Sequence, residues 1–128
     1  MNFSDSMKNA AGGAVDELVT AVGSIRAAVV STEDGFELVA RARDASQVAR
    51  LSAMASSMAA LGVMAGEECE IGGFRSITLE AEDGFIVMLQ SRNPASNLIL
   101  SVIADSEALV GKVILYGRKA ATQLARAS

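Results

Sequence analysis

Apolar residues recur at helical spacing from about Ser4 to Val22, where Met7, Ala11, Ala14, Leu18 and Val22 share one face. Gly12 and Gly13 weaken the first half of that helix. The spacing then shortens to the period of strands. Ile25–Thr32 and Phe36–Ala42 flank Asp34-Gly35, and Arg75–Ala81 and Phe85–Gln90 flank Asp83-Gly84. Both junctions carry Glu-Asp-Gly-Phe, at 33–36 and again at 82–85. Asp-Gly between β-branched runs signals a hairpin, because both residues tolerate the positive φ of a tight turn. The repeat predicts two hairpins built alike, with Asp34, Gly35, Asp83 and Gly84 as turn residues.

Asp44 with Gln47 three positions on makes a capping box for a second helix that runs to about Ala65 and stops near Gly66. Arg92–Asn97 reads as a turn before the strand Leu98–Ala104, and Asp105 or Ser106 caps a last helix over about Glu107–Arg126. The order is αββαβββα. Phe85–Gln90 and Leu98–Ala104 carry no charge and suit the middle of a sheet covered on both sides. Phe36–Ala42 sets Phe36, Leu38 and Ala40 opposite Glu37 and Arg41, and Arg75–Ala81 also carries charges, so these two read as edges. The expected fold is α/β (α+β): a five-stranded antiparallel sheet ordered 2-1-5-4-3 with helices on both faces, in one domain over residues 1–128.

The second helix has no charged outer face. Val48, Leu51, Met54 or Ala55, Met58 and Leu61 form one apolar stripe, while Ala49, Ser52, Ala53, Ser56, Ser57, Ala60 and Met64 fill the remaining positions. After Arg50 no charge occurs before Glu67. An Ala-rich surface helix is the plain reading. A second burial event explains the long uncharged run better, with small residues permitting close approach and Met supplying adaptable contact. The expectation is an isologous homodimer that pairs third strands edge to edge and packs second helices together. Its interface is expected to comprise Val48, Leu51, Met54, Ala55, Met58, Leu61, Ile77 and Leu79, with Arg50 and Ser57 as contacts to a further partner.

Composition narrows the chemistry. Over 128 residues the net charge is −4 and the basic residues are scattered, which argues against nucleic acid. The sequence contains no His, the commonest general base and zinc ligand. Cys69 is the single cysteine, and its acidic neighbours Glu67, Glu68 and Glu70 oppose thiolate formation. These carboxylates read as a solvated loop, with no metal or cofactor implied, and the serines lack a His partner. Gly111-Lys112 is followed by Val113 and sits within the last helix, so it is no phosphate loop. The N-terminus lacks a basic segment before an apolar core, and the uncharged run Leu51–Gly66 is shorter than a membrane span. A cytoplasmic protein without membrane insertion is expected.

The αββαβββα order, the segments VVSTEDGFELVARA and EDGFIVMLQ, and the small-residue second helix resemble the roadblock (dynein light-chain) family, most closely its bacterial MglB-type members. The likeness runs from about Val15 to Leu124. It implies a dimeric, non-catalytic scaffold or regulator that binds small Ras-like GTPases, and no catalytic residue to carry over. The sparse charge on the second helix departs from the surface that relatives use for partners. An arginine finger offered in trans by Arg50 or Arg92 is one catalytic idea, set against their plain role in solubility. A ligand-sensing module of profilin or PAS type is the alternative on the same architecture, and filament-forming self-assembly is a third.

Overall fold

The computed structural model describes residues 3–128. In chain order the elements are α1 (Asp5–Ala21), β1 (Ile25–Thr32), β2 (Glu37–Ala42), α2 (Ser46–Glu68), β3 (Ser76–Ala81), β4 (Gly84–Arg92), β5 (Asn97–Asp105) and α3 (Val110–Arg126). The sheet is antiparallel throughout and ordered β2-β1-β5-β4-β3, as the hydrophobic pattern predicts.

Period-two alternation sends β-strand side chains to opposite faces. Ala28 and Val30 of β1, Val87 and Leu89 of β4, and Leu98, Leu100 and Val102 of β5 meet α1 and α3 in one cluster. Val29, Met88 and Ile99 point the other way and meet Leu51, Ala55 and Ala59 of α2. The central strands β1 and β5 are therefore buried on both faces. Ser4 caps α1 by accepting the Met7 N–H at 3.0 Å. Helices α1 and α3 are joined across their exposed sides by Lys119 and Gln123, which donate to Glu17 at 2.9 and 3.0 Å. Those two partners, Gln123 first and then Lys119, hold the Glu17 carboxyl below the usual range, and Glu17 in turn raises Lys119.

The two hairpins differ, contrary to the expectation from the repeat. In the first, Gly35 takes φ +95°, the Thr32 N–H donates to the Phe36 carbonyl at 2.8 Å, and Thr32 Oγ1 accepts the Phe36 N–H at 3.0 Å. A bulge between Val30 and Ser31 shifts the register, so Leu38 and Val39 are both buried and Phe36 is exposed. In the second, Ala81 pairs directly with Gly84, the loop is Glu82-Asp83, and none of these residues has positive φ. Gly84 is already strand, and Phe85 beside it is buried.

The helix ends also differ from the sequence reading. Gln47 does not complete a capping box; the Asp44 carboxylate instead accepts the Ser46 N–H at 3.0 Å and its hydroxyl at 2.8 Å. Gly66 lies inside α2 and is buried, and the left-handed residue after the helix is Glu70, at φ +58°. Helix α3 begins at Val110, three residues later than predicted, with no side-chain cap from Asp105 or Ser106. Asp105 is committed elsewhere, as the ion-pair partner of Arg26 and, at 3.6 Å, of Arg43.

Candidate functional site

Helix α2 packs chiefly over β1, β2 and β5 and leaves part of β3 and β4 uncovered on the same face. The sheet surface it leaves uncovered forms an open groove of about 340 Å³ between α2 and the β3–β4 hairpin. Ala53, Met54, Ser57 and Met58 form the helical wall; Ile77, Leu79, Ile86 and Met88 form the sheet wall. None of these eight residues is charged.

The groove exists because of local sequence. Gly62 has no side chain, and a Cβ there would sit 2.8 Å from the Phe74 ring and 3.0 Å from Ile77. Phe74 and Ile77 therefore seat against α2 and close one end. Gly66 accepts the return of the loop so closely that a Cβ would meet the Gly72 carbonyl oxygen at 1.8 Å. Midway along the helix, Ser56 donates to the Glu33 carbonyl at 2.6 Å and anchors α2 on the first hairpin turn. The outer wall of the groove is β3, whose second edge has no strand neighbour among the described residues.

The residues expected at a dimer interface fall into three groups. Leu51 and Ala55 are fully buried against the chain's own sheet, so the expectation that they face a second copy is corrected: the apolar stripe to which they belong is the protomer's core-facing stripe. Val48, Met58 and Ile77 are half-buried at its border. Met54, Leu61 and Leu79 are 49%, 60% and 45% exposed, and Met64 extends the exposed surface along α2. Ser52, assigned to the outer face from sequence, is buried beneath α2 and its hydroxyl has no partner, as is true of Ser31 and Ser101.

Ser57 lines the groove, whereas Arg50 is exposed on α2 away from it. Arg92 sits beyond the opposite side of the sheet edge, beside Gly73 and α3. Asp34 and Gly35 mark the turn under α2, and Asp83 and Gly84 the turn at the end of the groove-forming hairpin. Sequence reasoning assigned both faces of β4 to covered core; that holds for Met88, which is buried against α2, but not for Ile86, which is only half-buried at the groove. The signal was present: after the first turn of α2, one helix cannot cover five strands.

Cys69 is exposed, and among the described residues no three His, Cys, Asp or Glu side chains gather as a metal site. By length and composition alone α2 is apolar enough to cross a membrane. Its buried residues nevertheless fall on one side and dock on a sheet, the arrangement of a helix covering a core.

Residues 12–104 match the family model described as the Roadblock/LC7 domain. No functionally curated protein matches the chain. Among solved structures, an MglB with a tetrameric arrangement shares 22% identity over 97% of this chain and 91% of that one, with a TM-score of 0.86. The gliding protein MglB of Thermus thermophilus shares 20% identity over 97% and 92%, also at 0.86. Myxococcus xanthus MglB shares 14% over 98% and 92%, at 0.84. At these identities the likeness is one of fold.

Proposed function

The chain belongs to the Roadblock/LC7 domain family, and from that membership we propose that it works as a non-catalytic homodimeric platform binding a small Ras-like GTPase. The observation that carries this reading is the junction of an uncharged groove with the free edge of β3. Edge pairing of two β3 strands about a two-fold axis joins two sheets into one and satisfies the free edge. The same operation brings the exposed Met54, Leu61 and Met64 of one α2 toward the other copy, over the groove floor of Leu79 and Ile86. Methionine adapts to such a repacked surface, and small Ala53 and Ser57 let the backbones approach. An MglB of similar fold adopts a tetrameric arrangement, which is in keeping with assembly through such surfaces.

The groove is open along one side and has no convergent polar groups, so it suits a docking surface better than an enclosed ligand pocket. The platform contributes position and complementarity to the GTPase; no residue is assigned to hydrolysis, and a cytoplasmic setting fits that partner. The test is capture from the native cytoplasm on immobilised protein, with the extract loaded with a GTP analogue or with GDP. Nucleotide-dependent retention of a Ras-like GTPase is expected. Retention of no GTP-binding protein in either state contradicts the proposal.

A further inference from the structure

A second groove, of about 390 Å³, runs along the other face of the sheet, where α3 stops short of the β3–β4 edge. Four arginines line it. Arg118 and Arg126 stand on α3, and facing them are Arg75, just before β3, and Arg92, at the end of β4. All four are exposed, and among the described residues none forms an ion pair. Elsewhere Arg26, Arg41, Arg43 and Lys119 have carboxylate partners, while Lys8, Arg50 and Lys112 form no ion pair among the described residues and stand apart from one another in sequence. No Asp or Glu lines the groove, although the chain carries a net charge of −4.

Between the arginines, Leu89, Ala121 and Ala125 give the floor its apolar part, and Gln90, Ser91 and Thr122 its uncharged polar part. Its walls are fixed. Gly117 lets α3 rest on Leu89, since a Cβ there would stand 2.9 Å from the Leu89 side chain. Ser91 donates to the Ala121 carbonyl at 2.7 Å, and Asn93 donates to the carbonyls of Leu124 and Ala127 at 2.7 and 2.8 Å. The end of β4 is thus tied to the last turns of α3, so the backbone walls of the groove are set before a ligand arrives.

We propose that this groove binds a short acidic protein segment that alternates carboxylates with apolar side chains. The guanidinium fork matches a carboxylate bidentately, and the four forks stand at both ends of the groove rather than at one point. Arg118 and Arg126 are separated by about 12 Å along the helix axis, a span covered by roughly four residues of extended chain. The apolar floor rewards side chains that a phosphate backbone does not have. Net negative charge repels a long polyanion, whereas a short segment responds to the local field within a Debye length of about 8 Å. The groove lies on the face opposite α2, and the proposal holds that the residues of one copy suffice to form it.

The probe is a fluorescein-labelled peptide with glutamates at both ends of a Leu-Ala-Leu centre, titrated with the full chain and followed by fluorescence anisotropy. Saturable binding that weakens with salt is expected. Arg118→Gln with Arg126→Gln should weaken it by about tenfold or more, as lost charge-assisted contacts do. Arg41→Gln with Arg43→Gln, the same change of charge on another surface, should leave it intact. A monomeric α2 variant should bind as wild type does. Absence of saturation, equal loss in both double variants, loss on monomerisation, or tighter binding of tripolyphosphate or single-stranded DNA at the same site overturns the proposal.

Discussion

At Gly35 the backbone turns with φ at +95°, a region that side chains with a Cβ rarely adopt, and the nearest atoms to a built Cβ are 3.7 Å away or more. At Gly84 φ is ordinary, but a Cβ would stand 2.4 Å from the Ala104 carbonyl oxygen on the neighbouring strand. One glycine answers a conformational demand and the other a steric one. Gly35→Asn should therefore lose less thermal stability than Gly35→Val, because Asn tolerates positive φ; Val there costs about 1–3 kcal/mol. At Gly84, Asn should give no such relief, and even Gly84→Ala should lower the midpoint. Thermal unfolding of the five proteins checks this. Equal losses for Asn and Val at position 35 contradict it. The repeated Glu-Asp-Gly-Phe shows where hairpins occur but conceals this difference, since the bulge at Val30/Ser31 and the approach of β5 are tertiary features.

At the scale of elements, α2 begins on a carboxylate and ends on close backbone contact. Hydrogen bonds from the Ser46 hydroxyl and N–H hold the Asp44 carboxyl below its usual range. A depressed carboxylate adds stability that is present above the unfolded pKa, about 3.9 for Asp, and is lost as pH falls through the lower folded value. Asp44→Ala should therefore unfold at a lower temperature than wild type at neutral pH, and the gap should narrow as pH drops below about 3.9. Calorimetric scans across that window measure it; a gap unchanged down to pH about 2 contradicts the assignment. The helix itself was legible from its run of apolar and small residues, and Asp44 from its place before that run. Its end was not. Gly66 looks like a C-terminal stop, yet the Gly72 carbonyl packed against it belongs to a loop whose path only the fold determines.

In the whole molecule, strand order followed from where the strands carry charge, because strands buried on both faces hold it only near their ends, as β1 does at Arg26. The Roadblock/LC7 architecture was legible for that reason. The docking surface was legible only in part. Helical periodicity identifies an apolar stripe but cannot tell which of two burials each residue serves: Leu51 and Ala55 went to the core, while Met54, Leu61 and Leu79 stayed exposed. No pattern along the chain marks the arginine groove, because residues 75, 92, 118 and 126 come from β4, α3 and the segment before β3, which only the fold assembles.

The central claim is that the groove beside β3 is completed by a second copy, and Met54 tests it most directly because it lines the groove while remaining 49% exposed in the protomer. Glutamate at that position is tolerated by an isolated chain but places an unpaired charge in the dimer contact, at a cost of about 3–5 kcal/mol, or more than a hundredfold in affinity. Light scattering after size exclusion should find wild type and the far-edge control Glu37→Lys dimeric at micromolar concentration, and Met54→Glu a folded monomer. A monomeric wild type, or a Met54→Glu protein as dimeric as wild type, would contradict the account.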